Sequence, residues 1–214
     1  MLNVAPDYTY NTGMPLDLVR RAYDRRARRY DAIVRLLSFG GDREYRRRAI
    51  SELRLQPGQR VLDVGCGTGL NFRALADGVG PKGLVVGTDL SRSMLLEGRD
   101  RRVRRVQAAA SQDLFKPESF DAVLSTYVIS TLLDEDVVEP IARAVRPGGR
   151  IVIADDSLPP GWFVGPRFML ANLWRRGWPD LRRDTVRALR PHVKNLHVSF
   201  CHAGMIYIIA GDRA

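Results

Sequence analysis

Cysteine and histidine are scarce, at two and three residues in 214. Cys66 and Cys201 lie far apart and form no CxxC pair, which argues against a zinc site and against a disulfide framework, so no metal is expected. No stretch approaches the ~18 consecutive apolar residues of a membrane-spanning helix. The opening residues, MLNVAPDYTYNTGMP, contain no basic segment followed by an apolar core, so no secretory leader is expected either. There is no internal repeat and no low-complexity block. Net acid is also lacking: 34 Lys plus Arg against 24 Asp plus Glu leave +10 and a pI near 10.3. This balance favours anionic partners, whether nucleic acid, lipid headgroups or acidic small molecules, although a solvated arginine-rich helix face gives the same count. A reducing, cytoplasmic setting is expected, with contact to a membrane surface left open.

What is present reads as one domain of the α/β class, since the length suits one sizeable core and is short for two. Leu16, Val19, Tyr23, Ala27, Tyr30, Val34 and Leu37 recur at helical spacing, with Arg20, Arg21, Arg25, Arg26, Arg28 and Arg29 mostly between them, so an amphipathic helix with a cationic side is predicted. A second helix is predicted over Asp42 to Leu55, stopped by Pro57 and Gly58. Residues 1–55 are read as an N-terminal arm and helices forming a cap, and 56–214 as the ligand-binding core.

Strands and helices then alternate. RVLDVG, GLVVGTDL, VRRVQAA, FDAVLSTYV and GRIVIADD read as strands, with helices over 70–76, 91–99 (Ser91 as N-cap) and 137–145 between some of them. After a helix over 183–189, HVKNLHVSF and MIYIIAG are separated by only a few residues, too few for a parallel crossover. The expected fold is therefore a Rossmann-like, doubly wound, seven-stranded sheet, mostly parallel, with an antiparallel last strand and helices on both faces.

The densest motif is VLDVGCGTG, residues 61–69, a buried strand that runs into Gly65, Gly67 and Gly69. In a doubly wound sheet, ligands bind beyond the carboxyl ends of the strands, and glycines let the first turn take angles a side chain forbids. Asp89 ends the second strand, where an acid accepts hydrogen bonds from a ribose diol. The residues alone thus point to an adenosine-type ligand.

The DxGxGxG pattern with a reversed final strand resembles the class I S-adenosylmethionine-dependent methyltransferases, from about Tyr23 to Gly211. The stretch AYDRRARRYDAIVRLLSFGGDREYRRRAI is similar to the N-terminal signature of the ubiquinone/menaquinone-biosynthesis methyltransferases and the related phosphatidylethanolamine N-methyltransferases. The resemblance implies S-adenosyl-L-methionine as cofactor, with Asp63, Gly65, Cys66 and Gly67 at its methionyl end, Asp89 on the ribose, and Leu90 and Met94 against the adenine. It places Tyr30 near the methionine part and Tyr23 where it closes the site. Relatives read GDAEDL where this chain reads AASQDL, so Ala110 cannot accept a bond from the adenine amino group, and Ser111 or Gln112 must substitute.

Methyl transfer rests largely on positioning, and a carbon or hydroxyl nucleophile also needs a base. Tyr127 at the fourth strand's end, Asp155 and Asp156 at the fifth, and His202 between the last two strands are the candidates, with Ser125 and Thr126 beside Tyr127 read as cofactor-binding. Asp155 could steer a cationic amine and His202 could act as base. Quinone C-methylating relatives carry an Arg-Asn pair where this chain has Ser130 and Thr131, which leans the acceptor towards an amine, a lipid headgroup or a secondary metabolite. The aromatic-rich segment 155–183 suits an aromatic or lipid-like acceptor and a lid over the methyl group. Methylation of tRNA or rRNA, and a non-catalytic cofactor-binding partner subunit, are the alternatives. Nucleic acid is disfavoured because no appended RNA-binding module or stacking signature is present. A homodimer is left open.

Overall fold

Alternating side chains along the strands build two cores, one on each side of a single sheet. The computed structural model describes residues 16–37, 41–98, 100–128, 135–156, 181–201 and 206–214. The strands are β1 (Arg60–Val64), β2 (Leu84–Asp89), β3 (Val103–Gln107), β4 (Phe120–Thr126), β5 (Val145–Asp156), β6 (Val193–Cys201) and β7 (Ile206–Arg213). They form one seven-stranded sheet in the order β3-β2-β1-β4-β5-β7-β6. Neighbours are parallel from β3 to β5, while β7 runs antiparallel to both β5 and β6. The expected fold class is what the structure shows.

The period of two decides which face each side chain serves. Leu62, Val64, Val123, Ile151, Ile153, Tyr207 and Ile209 meet α5 (Glu135–Ala144) and α6 (Leu181–Leu189) through Val137, Ile141 and Leu189. Val61, Leu124, Val152, Ala154, Ile206 and Ile208 meet α2 (Asp42–Glu52) and α3 (Phe72–Val79) through Tyr45, Ala49, Phe72 and Leu75. Burying each such aliphatic side chain stabilises by about 1.5–3 kcal/mol, and a slip of one residue in register would exchange the two faces. Helix α1 (Leu16–Leu37) packs across α4 (Arg92–Glu97). No helix among the described residues is long and apolar enough to cross a membrane.

Most element boundaries move by one to three residues from the sequence expectation, and three of the differences have a readable local cause. α2 ends at Glu52 because Arg54 takes a left-handed φ of 53° and closes the helix before Pro57 is reached. α3 begins at Phe72, once the glycine turn has run out to Asn71. β5 begins at Val145, four residues early, because a register shift against β4 absorbs Pro147 and Gly148.

Candidate functional site

The glycine turn leaves β1 through three left-handed backbones, with φ of 65° at Gly65, 55° at Gly67 and 83° at Gly69. A Cβ on Gly65 would stand 2.1 Å from Cγ2 of Val128, so bare backbone there lets the β4 end close against the turn. The turn is held by Cys66 N–H donating to the Thr88 carbonyl at 2.9 Å and by Gly69 N–H donating to the Cys66 carbonyl at 2.9 Å. Burial pushes the Cys66 thiol well above its ordinary range, so it stands there as a small apolar group.

Asp89, at the end of β2, answers the turn. Its Oδ2 accepts from Gly67 N–H and its Oδ1 from Ser91 N–H, both at 2.8 Å. Each oxygen keeps a lone pair, and the carboxylate lines the cleft. Burial raises its pKa, while the two backbone bonds hold the charged form. Ser91 caps α4 by accepting from Met94 N–H at 3.1 Å, and it donates to Oδ1 of Asp24 at 2.5 Å. Thr68 donates to Oδ1 of Asp31 at 2.5 Å. Asp24 and Asp31, seven residues apart and so on one side of α1, thereby fasten that helix over the cleft.

A buried polar network underlies the other end. Arg46 Nε donates to both oxygens of Asp42, at 3.0 and 2.9 Å, and its NH1 donates to Asn71 Oδ1 at 3.2 Å and to Thr126 Oγ1 at 2.7 Å. Asn71 Nδ2 donates to both oxygens of Asp63 at 3.2 Å and to Thr126 Oγ1 at 3.1 Å. The guanidinium lies over the Tyr127 ring, 5.1 Å from its centroid. Desolvation pushes the Asp63 carboxyl up to about 7 against the opposing pull of Asn71 and Arg46. For Arg46, desolvation is outweighed by Asp42, and its pKa rises.

Together these elements enclose a cleft with about 850 Å³ of atom-free space, its open mouth included. Of the sequence-predicted residues, Tyr23, Tyr30, Gly65, Cys66, Gly67, Asp89, Leu90, Met94, Ser111, Thr126 and Tyr127 line it. Asp63 does not: it shares the β1 parity of Val61, faces α2 and α3, and is fully buried behind Asn71. Ser125 is buried with its hydroxyl donating to the Val64 carbonyl at 3.3 Å. The Gln112 side chain accepts from Ala109 N–H at 3.1 Å and lines a neighbouring hollow instead, leaving Ser111 at the cleft. Asp155 is 1 % exposed, opposite Tyr207 in register, and does not reach the cleft. His202, Ser130, Thr131 and segment 157–180 lie outside the described residues.

Sequence reasoning missed Arg46, Asn71, Asp24 and Asp31. A signal for Arg46 was present: Asp42, Tyr45, Arg46, Ala49 and Leu53 fall on one helical stripe, and a charged i,i+4 pair on an otherwise apolar stripe marks a buried ion pair.

A family model described as the ubiE/COQ5 methyltransferase family matches residues 12–163. A demethylmenaquinone methyltransferase from Mycobacterium sp. (strain KMS) is 39 % identical over 142 residues, covering 66 % of this chain and 60 % of that protein. The ubiquinone/menaquinone biosynthesis C-methyltransferase UbiE of Geobacter sulfurreducens is 35 % identical over 150 residues, covering 66 % and 59 %. The chain thus spans about three fifths of the length of these relatives. In fold it is similar to the crystal structure of a SAM-dependent methyltransferase from Aquifex aeolicus, with a TM-score of 0.59 at 17 % identity over 79 % of this chain and 89 % of that one.

Proposed function

Since the chain belongs to the ubiE/COQ5 methyltransferase family, we propose that its cleft binds S-adenosylmethionine and that the protein methylates a small, apolar acceptor. The observation that carries this reading is the Asp89 carboxylate, fixed by Gly67 and Ser91 N–H groups, with lone pairs left for a ribose diol beside a side-chain-free turn. When bound, the cofactor supplies a methyl carbon made electrophilic by a sulfonium. Gly65 and Gly67 admit its backbone-hugging part, Leu90 and Met94 flank the adenine, and Ser111 reads the adenine edge. Tyr23 and Tyr30 from α1 exclude water from the reacting end.

Tyr127 is the catalytic candidate in the cleft wall. Its φ of 60° costs an ordinary residue roughly 1–2 kcal/mol, and strain of this kind persists where a side chain must be held in place. His202 remains the candidate base, because β6 ends at Cys201 and β7 begins at Ile206 opposite Asp156, at the sheet end that carries the cleft.

The names of the relatives favour a quinol as the acceptor, and this runs against the lean towards amines drawn from Ser130 and Thr131. An amine remains the second reading on those two residues. An isoprenoid quinol would be met at a membrane surface, where the exposed Arg21, Arg25, Arg28 and Arg29 of α1 complement anionic headgroups. Transfer of tritiated methyl from S-adenosylmethionine to demethylmenaquinol, with the label on carbon, is the expected result. Label on an amine and none on quinol would decide for the second reading, and no transfer to either would overturn both.

A further inference from the structure

The cleft holds a buried cation whose donors the described residues do not use up. Nε and NH1 of Arg46 are engaged by Asp42, Asn71 and Thr126, but NH2 has no acceptor among the described residues, although the residue is only 8 % exposed and lines the cleft. Buried donors are almost always satisfied, so two unpaired N–H groups of a guanidinium facing a cleft call for an acceptor brought by a ligand. Tyr30 lines the same cleft, and its hydroxyl likewise has no hydrogen-bond partner among the described residues. Its phenol, desolvated and pushed up to about 12, remains a donor throughout the physiological range. Asp42 fixes the plane of the guanidinium, and stacking over Tyr127 fixes its tilt.

The position of this pair identifies what it would hold. Asp89 ends β2, and Arg46 is bonded to Thr126 at the end of β4, with β1 between the two strands. Two strand spacings set the groups roughly 10 Å apart across the glycine turn. A nucleoside with an amino acid on its 5′ carbon spans that gap, with its diol at one end and its carboxylate at the other.

The geometry points to Arg46, assisted by Tyr30, as the binding site for the carboxylate of the cofactor's methionine end; the assignment rests on the S-adenosylmethionine reading above. Asp63, the motif acid, then acts from behind. It anchors Asn71, which in turn braces Arg46.

Calorimetry separates this assignment from that reading. The probes are S-adenosylhomocysteine and its decarboxylated analogue, titrated into wild type, Arg46→Gln, Arg46→Lys and Tyr30→Phe. Wild type is expected to bind the decarboxylated compound about 10- to 100-fold more weakly, as loss of charge-assisted hydrogen bonds requires. Arg46→Gln should bind the parent as weakly as the wild type binds the analogue, with the analogue itself nearly unaffected, and Arg46→Lys should restore part of the discrimination. Equal loss for both ligands would reduce Arg46 to a structural brace and overturn the assignment, as would a wild type that does not discriminate. Should Arg46→Gln fail to fold, Tyr30→Phe decides: discrimination reduced about 3- to 10-fold supports the pair, and unchanged discrimination rejects it. Binding of neither compound to wild type would instead overturn the S-adenosylmethionine reading itself.

Discussion

Replacing Asp89 by alanine tests the ribose site with the fewest side effects. The carboxylate already accepts Gly67 and Ser91 N–H bonds at 2.8 Å, so its plane is fixed before any ligand arrives. Two ribose hydroxyls donating to its remaining lone pairs would make two charge-assisted bonds, each worth about 1.5–3 kcal/mol, or roughly 10²- to 10⁴-fold in affinity together. In the free protein the effects oppose each other: two backbone N–H groups lose their acceptor, while a desolvated carboxylate with a raised pKa is removed. The thermal midpoint should therefore move far less than the affinity. Calorimetric titration with S-adenosylhomocysteine is the assay, and Asp89→Asn, which keeps one acceptor oxygen, should fall between the two. An Asp89→Ala protein that binds within about 5-fold of wild type would refute the placement.

Gly65→Ala should destabilise by about 2–5 kcal/mol in urea unfolding, combining the left-handed φ with the clash at Val128. Val128→Ala in the same chain should recover the steric part, and no recovery would place the cost elsewhere. Ser91→Ala removes a helix cap and the tie to Asp24 and should cost about 1–2 kcal/mol; an unchanged urea midpoint would show that neither bond matters. Asp63, raised to about 7 from an ordinary 3.8, binds its proton more tightly folded than unfolded, so its contribution to stability falls as pH rises from about 4 to about 7. The stability of wild type minus that of Asp63→Asn should drop by up to about 4 kcal/mol over that window, and a flat difference would contradict it.

The fold was legible because its signals are local. Alternating apolar residues with glycine and proline punctuation located the seven strands, and the few residues between β6 and β7 forced the reversal. Gly65, Gly67 and Asp89 were legible for the same reason: backbone conformation and a strand-end acid are written in consecutive residues. The Arg46 network was not, since its partners Asn71 and Thr126 are 25 and 80 residues away, and only the packing of α2 on the sheet brings them together. Nor could sequence show that Asp63 points behind the turn. That depends on strand parity relative to helices whose faces are assigned only in three dimensions. On α1 the arginines drew attention, yet Asp24 and Asp31 make the bonds that hold the helix over the cleft.

A crystal structure of the S-adenosylhomocysteine complex is the most direct test of the account. It should place the ribose hydroxyls within ~2.5–3.0 Å of the Asp89 carboxylate oxygens, over the Gly65 to Gly69 turn. A nucleoside bound elsewhere, or one seated in this cleft with its ribose turned away from Asp89, would contradict it.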